Sequence, residues 1–191
     1  YREQFVRGGE TYFMPEFGLN LGALGGDDAI IDFQTTYGYE VNNYVSVGGG
    51  IGFTTYADDN YEKERAISVP VLVNFNGFFF ESRVTPYYSV DLGFMMPLKK
   101  AKDVVTDNTS YTVYNRSYTK GLTFSPEIGV TFGDFRIGAE WKMMKKYYDR
   151  DIDYKTEIAE EMMQSFENEY NVNSVRKDKM SAFYLKVGFR F

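Results

Sequence analysis

The chain has 191 residues, a length that suits one domain and is tight for two. It carries no cysteine, which excludes disulfide frameworks and thiolate metal sites, and no histidine, which removes the commonest general base and the commonest metal ligand. The net charge is −6 with Lys and Arg dispersed rather than gathered into a stripe, so no nucleic-acid partner is expected.

Aromatic residues make up 18% of the chain, a bias that favours strands over helices. Mean hydropathy is −0.39, and no apolar run approaches the roughly 20 residues of a membrane helix. No signal peptide is legible in "YREQFVRGGE", and the expectation is a mature, processed chain.

Before residue 150 the pattern has period two, in seven segments. The first, "TYFMPEFGLNLGAL", opposes Phe13, Phe17, Leu19 and Leu21 to Met14, Glu16, Gly18 and Asn20. The second, "IDFQTTYGYEV", sets Ile31, Phe33, Tyr37 and Tyr39 against Asp32, Gln34, Thr36 and Glu40. In the third, "VSVGGGIGFTTY", Val45, Val47, Ile51 and Phe53 face away from Ser46 and three glycines. "ISVPVLVNF", "PYYSVDLGFMM", "LTFSPEIGVTF" and "FRIGAEWKM" continue the alternation, with Asp91, Glu127, Arg136, Glu140 and Lys142 on the polar side. An eighth segment, "FYLKVGFRF", closes the chain with Lys186 and Arg190 opposing Phe183, Leu185, Val187, Phe189 and Phe191.

Each segment is about 9–12 residues, the length a tilted strand needs to cross a bilayer. The odd-numbered connections are long and polar in three of four cases, among them "ADDNYEKER", about twenty residues from Lys99 and about thirty from Asp149. Two of the three even-numbered ones are the two-residue turns "NN" and "GD". Outer-membrane barrels pair short periplasmic turns with long extracellular loops in this way, and an even strand count puts both termini in the periplasm.

The face carrying charge decides which side is inside. Eight strands enclose a lumen just wide enough for side chains, so roughly forty large apolar groups do not fit there. The polar face is rich in glycine and suits a crowded interior. Its charged residues Glu16, Asp32, Glu40, Asp91, Glu127 and Glu140, with Arg136, Lys142, Lys186 and Arg190, are expected to form an interior ion-pair network, since buried charges need partners. The three glycines of the third segment are expected to make room for Arg136 and Lys142. Outward aromatics are expected to form two girdles around an aliphatic band, which meets outer-membrane lipid.

The sequence resembles the small outer-membrane β-barrel, porin-like proteins common in Bacteroidota. The resemblance rests on "ISVPVLVNF" (Ile67–Phe75), the following "VTPYYSVDLGF" (Val84–Phe94) and the closing "FYLKVGFRF". The architecture is also similar to eight-stranded enterobacterial barrels. The resemblance implies an outer-membrane location in a Gram-negative bacterium and assigns no specific function. The closing strand, with Phe189 and Phe191, looks like the assembly signal read by the barrel-assembly machinery.

Two further features lie near the last connection. Asp149, Asp151, Asp153 and Glu160 stand at positions 1, 3, 5 and 12 of a calcium-loop pattern, with Tyr154 where that pattern wants glycine. This is a weak metal candidate, and a solvated acidic loop is the plainer reading. In "TEIAEEMMQSFENEY", Ile158, Met162 and Phe166 recur at helical spacing, with Thr156 as N-cap, and predict a short helix in a partner-binding loop over 149–178.

The expectation is thus one all-β domain over 1–191, an eight-stranded antiparallel up-and-down transmembrane β-barrel. It needs no cofactor. Outer-membrane barrel enzymes rely on a histidine, so a non-enzymatic role is expected: surface loops for adhesion or for assembly with an envelope protein. The alternatives are a narrow solute pore and a soluble lipocalin-like carrier.

Overall fold

The computed structural model describes residues 8–20, 31–57, 65–107, 111–154 and 176–191. Every element among them is a strand: β1 (Thr11–Asn20), β2 (Ile31–Asn42), β3 (Val45–Ala57), β4 (Arg65–Phe78), β5 (Val84–Lys99), β6 (Ala101–Asp107), β7 (Tyr111–Thr119), β8 (Gly121–Phe132), β9 (Phe135–Tyr154) and β10 (Arg176–Phe189). Eight of them close a ring in the order β1-β2-β3-β4-β5-β8-β9-β10, with β10 returning antiparallel to β1. The closure continues beyond β10, where Phe13 and Phe191 exchange backbone N–H···O bonds of 2.9 Å. A closed ring leaves no unpaired edge, the condition for a sheet to cross lipid.

The short turns cluster at the end where Phe191 lies. Between β2 and β3 the turn is Asn43-Tyr44, one residue later than "NN", because a bulge at Glu40/Asn42 carries β2 to Asn42. There Asn42 Oδ1 accepts from the N–H groups of Tyr44 and Val45. Between β8 and β9, Gly133 takes φ +66°, a left-handed conformation open to glycine at little cost, and donates to the Arg83 carbonyl at 2.7 Å.

The strands outrun the sequence expectation at the other end. The segment after Lys99 is not a plain loop: β6 and β7 form a hairpin, and β7 pairs with the distal half of β9 from Tyr111↔Tyr154 to Thr119↔Lys146. The last connection is correspondingly shorter than 149–178, since β9 runs to Tyr154 and β10 starts at Arg176. Strand pairing consumes its two ends because the β7 edge offers β9 a partner beyond the barrel rim. The predicted helix, with Ile158, Met162 and Phe166, lies outside the described residues.

Burial alternates along most of each barrel strand, as in eBeBiBeB from Thr11 to Gly18. The large apolar side chains are mostly exposed, while the buried positions are mostly polar or charged, with Met14, Leu72, Met95 and Met144 among the apolar exceptions. The molecule is a barrel turned inside out relative to a soluble one, with its large apolar side chains on the outer surface. At the short-turn end the exposed face carries Phe13, Tyr39, Phe75, Tyr88, Phe132 and Phe189. Phe135 and Phe189 pack with ring centroids 5.2 Å apart. At the opposite end stand Phe33 and Phe53, 5.3 Å apart, and Trp141 stacked on Phe183 at 5.7 Å. Between these aromatic sets the face holds Ile51, Val71, Val73, Leu92, Ile128 and Leu185.

Candidate functional site: an ion-paired lumen

The lumen is built by parity. On β9 the inward positions are Arg136, Gly138, Glu140 and Lys142; on β10 they are Tyr184, Lys186 and Gly188. Glu127 comes from β8, Glu16 and Gly18 from β1, and Asp32 from β2. These five strands are neighbours in the ring, so their charged side chains converge on one sector of the interior.

The contacts run as an unbroken alternation of acid and base. Asp32 Oδ2 lies 2.7 Å from Lys142 Nζ, which is 3.4 Å from Glu140 Oε1. Glu140 Oε2 lies 2.5 Å from Lys186 Nζ, which reaches Glu127 Oε2 at 3.9 Å. Arg136 then bridges Glu127, at 2.9 Å from Nη2, and Glu16, at 3.1 Å from Nε. Each of these seven side chains is at most 5% exposed. Glu127 and Glu140 stand directly opposite each other across β8 and β9, a like-charge pair that would repel if Lys186 and Arg136 did not lie on it.

Glycine makes the room. In register, Gly188 faces Arg136 on one side and Glu16 on the other, Gly138 faces Lys186, and Gly18 faces both Lys186 and Asp32. A Cβ on Gly188 would stand 3.0 Å from both Arg136 Cγ and Glu16 Cγ. The glycines of β3 serve a different neighbour. The space beside Gly48 is taken by the Tyr12 hydroxyl and the Thr36 methyl, not by Arg136 or Lys142. The atoms nearest these inward glycines come instead from Tyr12 on β1 and from β2, the hydrogen-bonded partner of β3.

Neutral groups complete the interior. Asp91 accepts from Gln34 Nε2 at 2.9 Å and from Asn74 Nδ2 at 2.5 Å. Asp32 accepts from Thr54 Oγ1 at 2.5 Å. Tyr87 donates its hydroxyl to Glu127 and lies under the Arg136 guanidinium, 4.1 Å from ring centroid to Cζ. Arg136 Nη1 donates to Asn76 Oδ1 at 3.1 Å. Tyr12, Asn74, Asn76, Tyr87 and Tyr184 share the charged residues' parity, so the same alternation locates them; attention to charge alone passes over them. Glu40 and Arg190 form a separate pair toward the short-turn end, with the Arg190 guanidinium 4.1 Å from the Tyr12 ring centroid.

The remaining candidates are placed differently. Asp149, Asp151 and Asp153 lie on β9, in an extended strand rather than in the turn a calcium loop requires, and Glu160 lies outside the described residues. Asp149 Oδ2 is 3.6 Å from Lys100 Nζ, which sits over the Tyr118 ring. Burial, with the Asp149 charge beside it, holds the Tyr118 hydroxyl above its ordinary range at this hairpin. Phe189 is exposed in the short-turn aromatic set, and Phe191 extends beyond it.

No family model and no curated protein matches the chain. Among solved structures, the chain is similar to the crystal structure of the N-terminal beta-barrel domain of Pseudomonas aeruginosa OprF, at 13% identity, covering 95% of this chain and 97% of that one, with a TM-score of 0.47.

Proposed function

We propose that the chain is a non-enzymatic, non-conducting barrel of a Gram-negative outer membrane, with both termini in the periplasm, that holds surface segments for adhesion or for assembly with an envelope protein. The observation that carries this reading is the continuous Asp32–Lys142–Glu140–Lys186–Glu127–Arg136–Glu16 chain across the lumen. Charged side chains that neutralise one another in a narrow lumen favour a filled interior over both the pore and the lipocalin-like carrier. The orientation rests on the short turns, which outer-membrane barrels keep on the periplasmic side. Phe189 and Phe191 would then be read by the barrel-assembly machinery.

Planar-bilayer recording of the folded protein is expected to show no stable channel. Steady conductance on the nanosiemens scale would replace this reading with the pore.

The partner-binding role is assigned to the long-connection end. There β6, β7 and distal β9 carry a sheet past the rim, and residues 155–175 join β9 to β10. Because Arg176 pairs with Tyr148, replacing 155–175 requires a linker spanning the offset to Tyr154, roughly 20 Å, which about eight Gly and Ser residues reach. That variant is expected to assemble normally, since none of the described strands is touched, and to lose partner recovery from native membranes. Undiminished recovery would move the role to the β6–β7 hairpin.

A further inference from the structure

At the long-connection end, β9 and β10 set Lys145 and Lys179 directly opposite each other. Both are exposed and share the outward parity of Trp141 and Phe183, whose stacked rings lie four residues closer to the barrel centre along each strand. Like charges at opposed positions of an antiparallel pair repel. Neither lysine has an ion pair among the described residues, and none of the carboxylates paired there reaches them. Lys120, also exposed, joins the same edge through its backbone N–H, which donates to the Lys145 carbonyl at 3.2 Å.

Below the two lysines runs a groove of about 590 Å³ over β5, β8, β9 and β10, which lies mainly on the outer face and reaches the buried Thr123 and Met144 in the wall. Its apolar lining includes Leu92, Leu122, Phe124, Trp141 and Met143, and Lys145 and Lys179 stand at its edge. The groove opens where β8 and β9 part: their pairing holds up to Glu127↔Glu140, resumes at Phe124↔Met143, and does not continue to Lys145.

We propose that this is a binding site for a net-anionic, phosphate-bearing lipid, with an acyl chain in the groove and the head group between Lys145 and Lys179. The apolar channel lies at the depth of the acyl chains and the lysines just beyond the aromatic girdle, at head-group level. An anion there relieves the repulsion that the strand register imposes. The site rests on the barrel spanning a membrane and not on its proposed partner role.

Trp141 is the single tryptophan of the chain and lines the groove, so its fluorescence reads the site directly. The test is quenching by brominated phosphatidylglycerol against brominated phosphatidylcholine in vesicles otherwise alike. In the wild type the anionic lipid is expected to be favoured roughly thirtyfold, as two lysines near a lipid surface imply. The preference should fall toward unity in K145Q/K179Q, be intermediate in K145Q, and shrink with added salt. Equal quenching by the two lipids in the wild type overturns the proposal, whatever the variants do. So does a preference that persists in K145Q/K179Q, or in K145Q alone at the wild-type value if the double variant does not fold. Absence of conductance or of a protein partner has no bearing on either outcome.

Discussion

Arg136→Leu is expected to destabilise the folded barrel by about 3–5 kcal/mol, the range for removing one partner of a buried ion pair. The guanidinium is the only described group that binds Glu16 and Glu127 together, and it also holds the Tyr87 ring and the Asn76 amide oxygen. Its loss leaves the Glu16 carboxylate buried without an ion-pair partner and Glu127 with only Lys186, at 3.9 Å. The cost comes from stranding charge rather than from losing attraction. Pairing the change with Glu16→Gln removes one of the stranded charges and should therefore recover part of the loss, giving a coupling energy well away from zero. Urea titration of the protein folded into lipid vesicles measures all three variants. A cost for Arg136→Leu within about 0.5 kcal/mol of zero, the usual range for a surface substitution, would mean that water replaces the cation and that the lumen is wet.

Val73→Arg is expected to cost about 2–4 kcal/mol in a bilayer. Val73 is 65% exposed and lies mid-strand on β4, level with Leu92 on β5, between Phe75 of one girdle and the depth of Phe53 and Phe94 in the other. Val84→Arg, on the same face but at the short-turn end beside Phe132, should cost only about 0–1 kcal/mol, because its guanidinium reaches the interface. The gradient between the two sites is the informative quantity. Folding titrations in vesicles that gave equal costs at both would place the lipid boundary elsewhere, and a negligible cost at Val73 would invert the faces.

Both results depend on which face each residue takes, and that much the amino-acid sequence determined by itself. Side chains alternate across a strand with period two, so once Glu16, Asp32, Glu127, Arg136 and Lys186 share a parity, they share the lumen. The narrowness of an eight-stranded ring then forces the large apolar set outward. Turn chemistry placed "GD" between β8 and β9, and the asymmetry of the connections separated the two ends.

Tertiary structure alone decided the rest, because alternation specifies faces but not which strands lie side by side beyond hairpin neighbours, nor in what register. Register put Gly188 between Arg136 and Glu16, and set Glu127 against Glu140 with Lys186 between them. Packing inside the lumen gave the space beside Gly48 to Tyr12 and Thr36 instead of to Arg136 and Lys142. The β6–β7 hairpin was invisible in a polar stretch because its pairing energy comes from a remote edge, the distal half of β9, rather than from a local apolar pattern. The opposition of Lys145 and Lys179 belongs to the same class: two unremarkable surface lysines, thirty-four residues apart, become one site only when β9 and β10 pair.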